Sequence, residues 1–549
     1  MPAADPTPAP DTTSPRDPAR LAWWLILGAT LFRVLYVVIY PLDLAGDEAY
    51  YWDWGRRPAM GYFSKPPLIA WLMGLVTAVG GPHTVAIRLA SVLLGTGSLV
   101  ATFLLGRSIF GARAGLWALL FALALPANVL LSQLLTIDAP LVLCWTASLL
   151  FFWRWFTDRR PAPSLAGLTL TLGLGYLGKQ MMLVFPVLAI LFLATVPDRE
   201  TRRRKLADGR LWAAVGVSLL FLIPPVLWNA EHGWITFSHT KGQVAAEGSG
   251  DPFGVSLLVF AASQAGLVAS PLIWFLATAL AFAGLRGLRQ LGDGERFLVI
   301  FSAPALVAMY LMALRQDMLP NWPAVYYVAA LVLLAGWAAG VAQVPRLPES
   351  WRRWARPALG VGFALVAVGY LLPPALDLAG YAGHPKLDPL QRLRGAKLAG
   401  REASAFLDRA PNPDRTLVIV MGHRYHSSQL AFYLKGQPRV YRWDLREGLH
   451  SQYELWPDPV ADGKMGWDAL VFLPDRGRTM PYRFQGGFDS LEPLGEVVAR
   501  VSAHDEVYYR VYLGRNLKKW PRKLDNPGAK AEKSPIPAGS TPEAASPAR

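Results

Sequence analysis

Cysteine is almost absent: Cys144 is the only one in 549 residues. A single thiol excludes an intrachain disulfide and any cysteine-based zinc site. Charged residues are scarce, at 17%, against about a quarter in soluble domains. No glycine-rich phosphate loop follows a candidate strand, so a nucleotide-binding signature is lacking. The 49 glycines and 45 prolines run with no period, which excludes a collagen-like or repeat protein.

What the chain does have is apolar length. Hydrophobic residues make up 53%, and runs of about 18 or more recur through the first two thirds, enough to cross roughly 30 Å of hydrocarbon. The chain reads as a polytopic membrane protein. A net charge of +15 suggests nucleic acid in a soluble protein. Here the cations gather in short loops between apolar runs, which marks membrane topology and no nucleic-acid partner.

Residues 1–20, rich in Pro, Ala and Thr, read as a disordered cytoplasmic tail. The run 21–40 is too long and too aromatic for a signal peptide, and no small-residue cleavage site follows, so it reads as a retained anchor. Further spans are expected near 86–106, 113–131, 139–157, 164–178, 181–196, 211–229, 255–285, 297–314, 321–342 and 357–375, about eleven in all. With the N-terminus inside, the inner loops collect Arg107 and Arg113, then Arg159 and Arg160. They continue with the basic stretch around Arg202, Arg203, Arg204 and Lys205, with Arg286 and Arg289, and with Arg352, Arg353 and Arg356. The outer connections carry Lys179, Lys241 and Arg315; only the first outer loop, 41–85, adds more, with Arg56, Arg57 and Lys65. One orientation thus satisfies nearly all loops. It places the chain in the inner (plasma) membrane with a cytoplasmic N-terminus and a periplasmic C-terminal domain.

That domain, 379–515, alternates in hydrophobicity. Segments 416–421 and 468–473 read as buried strands and 427–434 as a helix, giving a small α/β domain. Residues 516–549, rich in Lys, Pro and Ala, read as disordered. The fold class is therefore mainly α, a transmembrane helical bundle (21–378) with a small extracytoplasmic α/β domain.

The first outer loop carries the densest polar chemistry: Gly46-Asp47-Glu48-Ala49-Tyr50-Tyr51-Trp52-Asp53-Trp54, then Gly61-Tyr62-Phe63-Ser64-Lys65-Pro66-Pro67. The aromatics suit a short helix at headgroup level. Carboxylates in that setting need partners. Helix capping is a bland account of Asp47; the Asp47–Glu48 pair together with Lys65 points to function. Asp138 opens the fourth span, Lys179 sits on an otherwise uncharged turn, and Arg315 and Asn321 mark the turn before the tenth span. A cap, a snorkelling cation and a turn explain these one at a time. Together they set acids and cations at one leaflet, which suits a reaction on a lipid with an anionic head: cations bind phosphate, and an acid handles a proton.

In that order the motifs resemble the GT-C glycosyltransferases of the ArnT-like, bacterial protein-mannosyltransferase-like type. The likeness covers roughly 20–345 and continues into the C-terminal domain, at His423-Arg424-Tyr425, Leu430-Ala431-Phe432-Tyr433-Leu434 and Gln452-Tyr453-Glu454-Leu455-Trp456-Pro457. It implies a GT-C transmembrane catalytic domain that moves a sugar with inversion. The donor is a polyprenyl (usually undecaprenyl) phosphate carrier. The acceptor lies outside the cytoplasm: lipid A, lipopolysaccharide or another envelope glycan. By position, Asp47 is the base or acceptor-orienting carboxylate, Glu48 its neighbour in the signature, and Asp138 a second catalytic carboxylate. Lys65, Lys179 and Arg315 contact the donor phosphate, and Tyr50, Tyr51, Tyr62 and Asn321 line the substrate cavity. No cofactor is implied with certainty. A divalent metal ion is left open, because aminoarabinose transferases have Glu before Lys-Pro-Pro where this chain has Ser64. Membrane lipids are the remaining partners.

Two other readings share these residues. A protein O-mannosyltransferase uses the same donor type. A transporter or flippase for a lipid-linked sugar also places charge within the membrane, as Arg33 does in the first span; no inverted repeat or paired broken helix supports it.

Overall fold

The computed structural model describes residues 17–244, 254–444 and 448–521. Most of the two tails expected from composition, residues 1–16 and 522–549, lies outside these. Residues 17–20 already belong to the first helix and its cap, and 516–517 close the last strand.

Helix α1 (Pro18–Ile39) starts where Pro supplies a preset φ and Asp17 accepts from the Ala19 N–H. The connection to the next long helix folds into α2 (Gly46–Gly55) and α3 (Leu68–Gly80). Then come α4 (Thr84–Phe110), α5 (Ala112–Leu123) and the short α6 (Pro126–Leu131). The last two split one expected span, because Pro126 has no N–H to continue the ladder. Helices α7 (Asp138–Phe156) and α8 (Pro161–Gly178) pack on each other and α7 on α4. A 3₁₀ turn leads into α9 (Val184–Thr195), followed by the polar α10 (Arg199–Leu206). Helices α11 (Gly209–Leu219) and α12 (Ile223–Glu231) run on through a 3₁₀ turn, and α13 (Ile235–Val244) follows.

Helix α14 (Val255–Ser263) extends into a π-helical turn and meets α15 (Pro271–Arg286) at a bend of 116°. The bend falls at Ser270, whose φ is +67°, just before a proline. Helices α16 (Asp293–Ile300) and α17 (Ala303–Met312) form one segment, α18 (Ala324–Ala338) is buried along nearly its whole length, and α19 (Ala355–Leu378) closes the bundle. Trp145, Phe152, Phe185, Phe192, Phe297 and Phe301 interlock at its centre, with ring centroids about 5–6 Å apart.

Every apolar run expected to span is helical, but the count of eleven is finer than the structure supports. Among the described residues six helical segments are long and apolar enough to cross a bilayer, seven with the bent pair, and α3, α5, α9 and α18 are shorter apolar helices. The chain is an integral membrane protein.

The C-terminal domain starts with α20 (Ala396–Asp408) and holds a five-stranded sheet. Its strands are β1 (Thr416–Met421), β2 (Val440–Trp443), β3 (Asp468–Pro474), β4 (Phe488–Arg500) and β5 (Glu506–Leu517), in the order β2-β1-β3-β5-β4. β1 is parallel to β2 and β3, while β5 is antiparallel to β3 and β4. Helix α21 (Arg424–Tyr433) follows β1 and lies directly on α2.

Candidate active site

Helix α2 is held from both sides. Glu48 is fully buried. Its carboxylate accepts from the backbone N–H of Ala45 at 2.9 Å and of Leu135 at 3.0 Å, and from Arg88 Nη2 at 3.2 Å. The Ala45 contact is the returning half of a capping box. On the other side α21 seats so closely that a Cβ on Gly46 would lie 2.3 Å from the Tyr425 ring. Ser428 donates to the Gly46 carbonyl at 3.2 Å, and Tyr433 Oη accepts from the Leu44 N–H at 2.7 Å. These contacts leave Asp47, one position before Glu48, at the open face of the helix, with its side chain 40% exposed.

Asp47 Oδ1 accepts from Arg424 Nη2 at 3.3 Å. Arg424 comes from the start of α21, and its guanidinium also lies over the rings of Tyr50 and Tyr425. Burial opposes its charge, yet Asp47 and the surrounding tyrosines outweigh that and hold the guanidinium more firmly protonated than usual. The sequence motifs did not mark Arg424 as a site residue.

A second ionic group stands beside the first. Asp138 and Lys179 are each 7% exposed. Asp138 Oδ1 accepts from Lys179 Nζ at 2.9 Å, and Oδ2 accepts from Asn321 Nδ2 at 2.6 Å. The start of α7, the end of α8 and the turn before α18 therefore meet at one carboxylate. Tyr51 is buried next to both groups. Burial, then the carboxylates of Asp47 and Asp138, push its hydroxyl pKa well up.

Lys65 completes the cluster. The turn that carries it is closed by the Tyr62 N–H on the Lys65 carbonyl at 3.2 Å. It is pinned by Gln452 Oε1 on the Phe63 N–H and by Thr236 Oγ1 on the Tyr62 carbonyl, both at 2.7 Å. Burial, then Lys179, pull the Lys65 ammonium down to about 8; Asp138 and Asp47 partly offset this and Arg424 adds to it. Among the described residues Lys65 has no carboxylate within ion-pair distance. The cluster thus holds three cations (Lys65, Lys179, Arg424) and two carboxylates (Asp47, Asp138), an excess of one positive charge. His239 of α13 packs at a tilt against Phe63, with ring centroids 4.9 Å apart, and burial, Lys65 and Arg424 bring its imidazole down to about 4.

Not every expected site residue joins this group. Glu48 is turned into the protein and fully engaged, because neighbours on a helix point about 100° apart. Tyr62 is spent on structure: it stacks on Trp54 at 4.5 Å and its hydroxyl bonds the backbone of residues 54, 57 and 59. Tyr50 lies under Arg424, with its hydroxyl held by the Gln452 N–H. Arg315 is exposed beyond α17, with no ion pair or side-chain hydrogen bond to the cluster among the described residues.

The donor set here does not fit a divalent cation. Ser64 offers only a hydroxyl, His239 faces Lys65 and Arg424, and Asp47 and Asp138 are each taken by a cation. No three His, Cys, Asp or Glu side chains come together among the described residues. Chemically, the cluster presents cations to an anion beside a partly exposed carboxylate.

Residues 64–228 match the family described as dolichyl-phosphate-mannose-protein mannosyltransferase. The chain is 28% identical to the lipid A galacturonosyltransferase RgtD of Rhizobium johnstonii over 463 residues, 82% of this chain and 90% of that protein. It is also 28% identical to the lipopolysaccharide core galacturonosyltransferase RgtA of the same organism, over 47% of this chain and 52% of that one. Its fold is similar to the crystal structure of ArnT from Cupriavidus metallidurans bound to undecaprenyl phosphate, with a TM-score of 0.57 and 18% identity over 90% of this chain and 98% of that chain.

Proposed function

We propose that this chain, a GT-C glycosyltransferase with an ArnT-like fold, moves a sugar from a polyprenyl phosphate carrier to lipid A or another lipopolysaccharide acceptor at the periplasmic face. The observation that carries this reading is Lys65: an ammonium without a carboxylate partner among the described residues, set between the Asp47–Arg424 and Asp138–Lys179 pairs. A half-buried cation with no carboxylate in ion-pair reach suits an anionic ligand. Two of the relatives above are named as galacturonosyltransferases. The excess of one positive charge is matched by the single negative charge of a phosphodiester donor, and a uronic acid is the proposed sugar on the strength of those names.

The reaction is a single displacement with inversion. Asp47 accepts the proton of the acceptor hydroxyl as its oxygen attacks the anomeric carbon. The bond from that carbon to the phosphate oxygen breaks, and the lipid phosphate leaves with the electron pair. Lys65 and Lys179 balance the charge that builds on the phosphate. Arg424 orients Asp47, Asn321 and Lys179 fix Asp138, and Tyr51 walls the space between.

The test is transfer by the purified protein in detergent, with undecaprenyl phosphate galacturonic acid as donor. Lipid A and a Ser/Thr peptide are compared as acceptors, and products are read by mass spectrometry. Glycosylated lipid A supports the reading. Modified peptide alone supports the second one, a protein acceptor, which the family match over residues 64–228 favours. No product with either acceptor sinks the transfer proposal.

Two outcomes follow from the cations. Lys65 must be protonated to hold phosphate, and it loses its proton as pH rises through about 8. The kcat/KM for donor, which reports free-enzyme ionisations, therefore falls above about pH 8, and Lys65→Arg moves that limb to higher pH. A limb unmoved in the Arg variant assigns the ionisation elsewhere. Lys179→Ala raises the donor KM about tenfold, the scale of one charge-assisted hydrogen bond, with a smaller change in kcat. An unchanged KM removes Lys179 from the phosphate site.

A further inference from the structure

The bundle carries a charged cavity at the opposite end from the cluster. Asp138 opens α7 and Arg154 lies in its last turn, about 24 Å further along the helix at 1.5 Å per residue. There α4, α7 and α8 border an open cavity of about 690 Å³. Four arginines line it and no acid does: Arg107 from α4, Arg154 from α7, and Arg159 and Arg160 from the turn before α8. Leu104 and Phe151 give it an apolar side.

Among the described residues none of the four has a carboxylate within ion-pair distance. The nearest acid in sequence, Asp158, is already taken by Lys205 at 2.7 Å and Arg204 at 3.1 Å. The turn is also held in an unfavourable shape. Asp158 and Arg160 both have left-handed backbones, at φ +56° and +53°, which costs a non-glycine residue about 1 kcal/mol or more each. The Arg159 N–H on the Arg154 carbonyl at 2.9 Å and Ser164 Oγ on the Arg159 carbonyl at 3.2 Å brace it. The turn sets like charges around one cavity, and Arg107, Arg159 and Arg160 are exposed there to meet an anion at the surface. A cavity at the end of a spanning helix with an apolar flank sits at headgroup depth.

We propose that this cavity binds the phosphate headgroup of an anionic phospholipid, with the acyl chains along Leu104 and Phe151. The inference uses none of the catalytic residues and stands or falls apart from the transfer reaction.

Native mass spectrometry of the full-length protein tests it, with phosphatidylglycerol, phosphatidylcholine and inorganic phosphate as probes. Wild type should retain phosphatidylglycerol over phosphatidylcholine. The double variant Arg159→Gln, Arg160→Gln should retain it about 25-fold less, from about fivefold per charge. The double Lys variant should keep most of it. Millimolar inorganic phosphate should leave the lipid in place. Equal retention by wild type and the Gln variant, equal retention of the two lipids, or displacement by inorganic phosphate would each overturn the proposal. Should the Gln variant not fold, salt decides on wild type: retention falls between about 50 and 500 mM NaCl if the arginines hold the lipid, and a flat response overturns it.

Discussion

Asp47→Asn is expected to lower turnover about 10³-fold, within the range for loss of a positioned general base, while the protein folds and melts as wild type. The amide keeps the shape of the side chain and an oxygen to accept from Arg424, so the architecture loses little. The Asp47–Arg424 pair is partly exposed on both sides, and exposed pairs are worth about 1 kcal/mol or less. What the amide lacks is the capacity to take the acceptor proton. Single-turnover transfer from labelled donor, beside a thermal melt of the same preparation, checks both halves. Near-normal turnover would end the assignment of Asp47 as proton acceptor.

Glu48→Ala is expected to show the opposite signature: a stability loss of about 3–5 kcal/mol, the cost of stranding a buried charge. Arg88 is 2% exposed. With Glu48 gone it keeps only carbonyl partners, Asp43 O at 2.7 Å and Gln133 O at 3.3 Å, and the N–H groups of Ala45 and Leu135 lose their acceptor. Glu48→Gln, which keeps an acceptor, should lose less. Folded yield after extraction and the melting temperature read this directly. A Glu48→Ala protein that melts normally yet fails to transfer sugar would return Glu48 to the catalytic group.

The contrast between these two neighbours marks what could be read from sequence. Composition and loop charge suffice for a membrane bundle with a small α/β appendage, because apolar length and alternation act locally. Strand β1 and helix α21 were legible for the same reason. Asp138, Lys179 and Asn321 stood out as polar residues at the ends of apolar runs, and they converge. Direction was harder to read. The apolar run 255–285 looks continuous, but the backbone turns through 116° at Ser270. Asp47 and Glu48 look like one unit in a string, but a helix sends them to different surroundings. Arg315 has the residue type of a phosphate ligand at a place where the chain leaves it exposed. Arg424 stood within a motif of the resemblance but carried no sign of its role, since its partner lies 377 positions earlier.

That separation has a consequence for how the molecule is made. During synthesis Asp47 emerges from the ribosome long before its guanidinium partner exists, and α2 lacks the covering α21 until the chain has grown past residue 433. The membrane portion is thus born with an unfinished centre. The cluster is complete only once the segment that carries Arg424 has docked on α2, so a chain that stops before it lacks the Asp47–Arg424 pair.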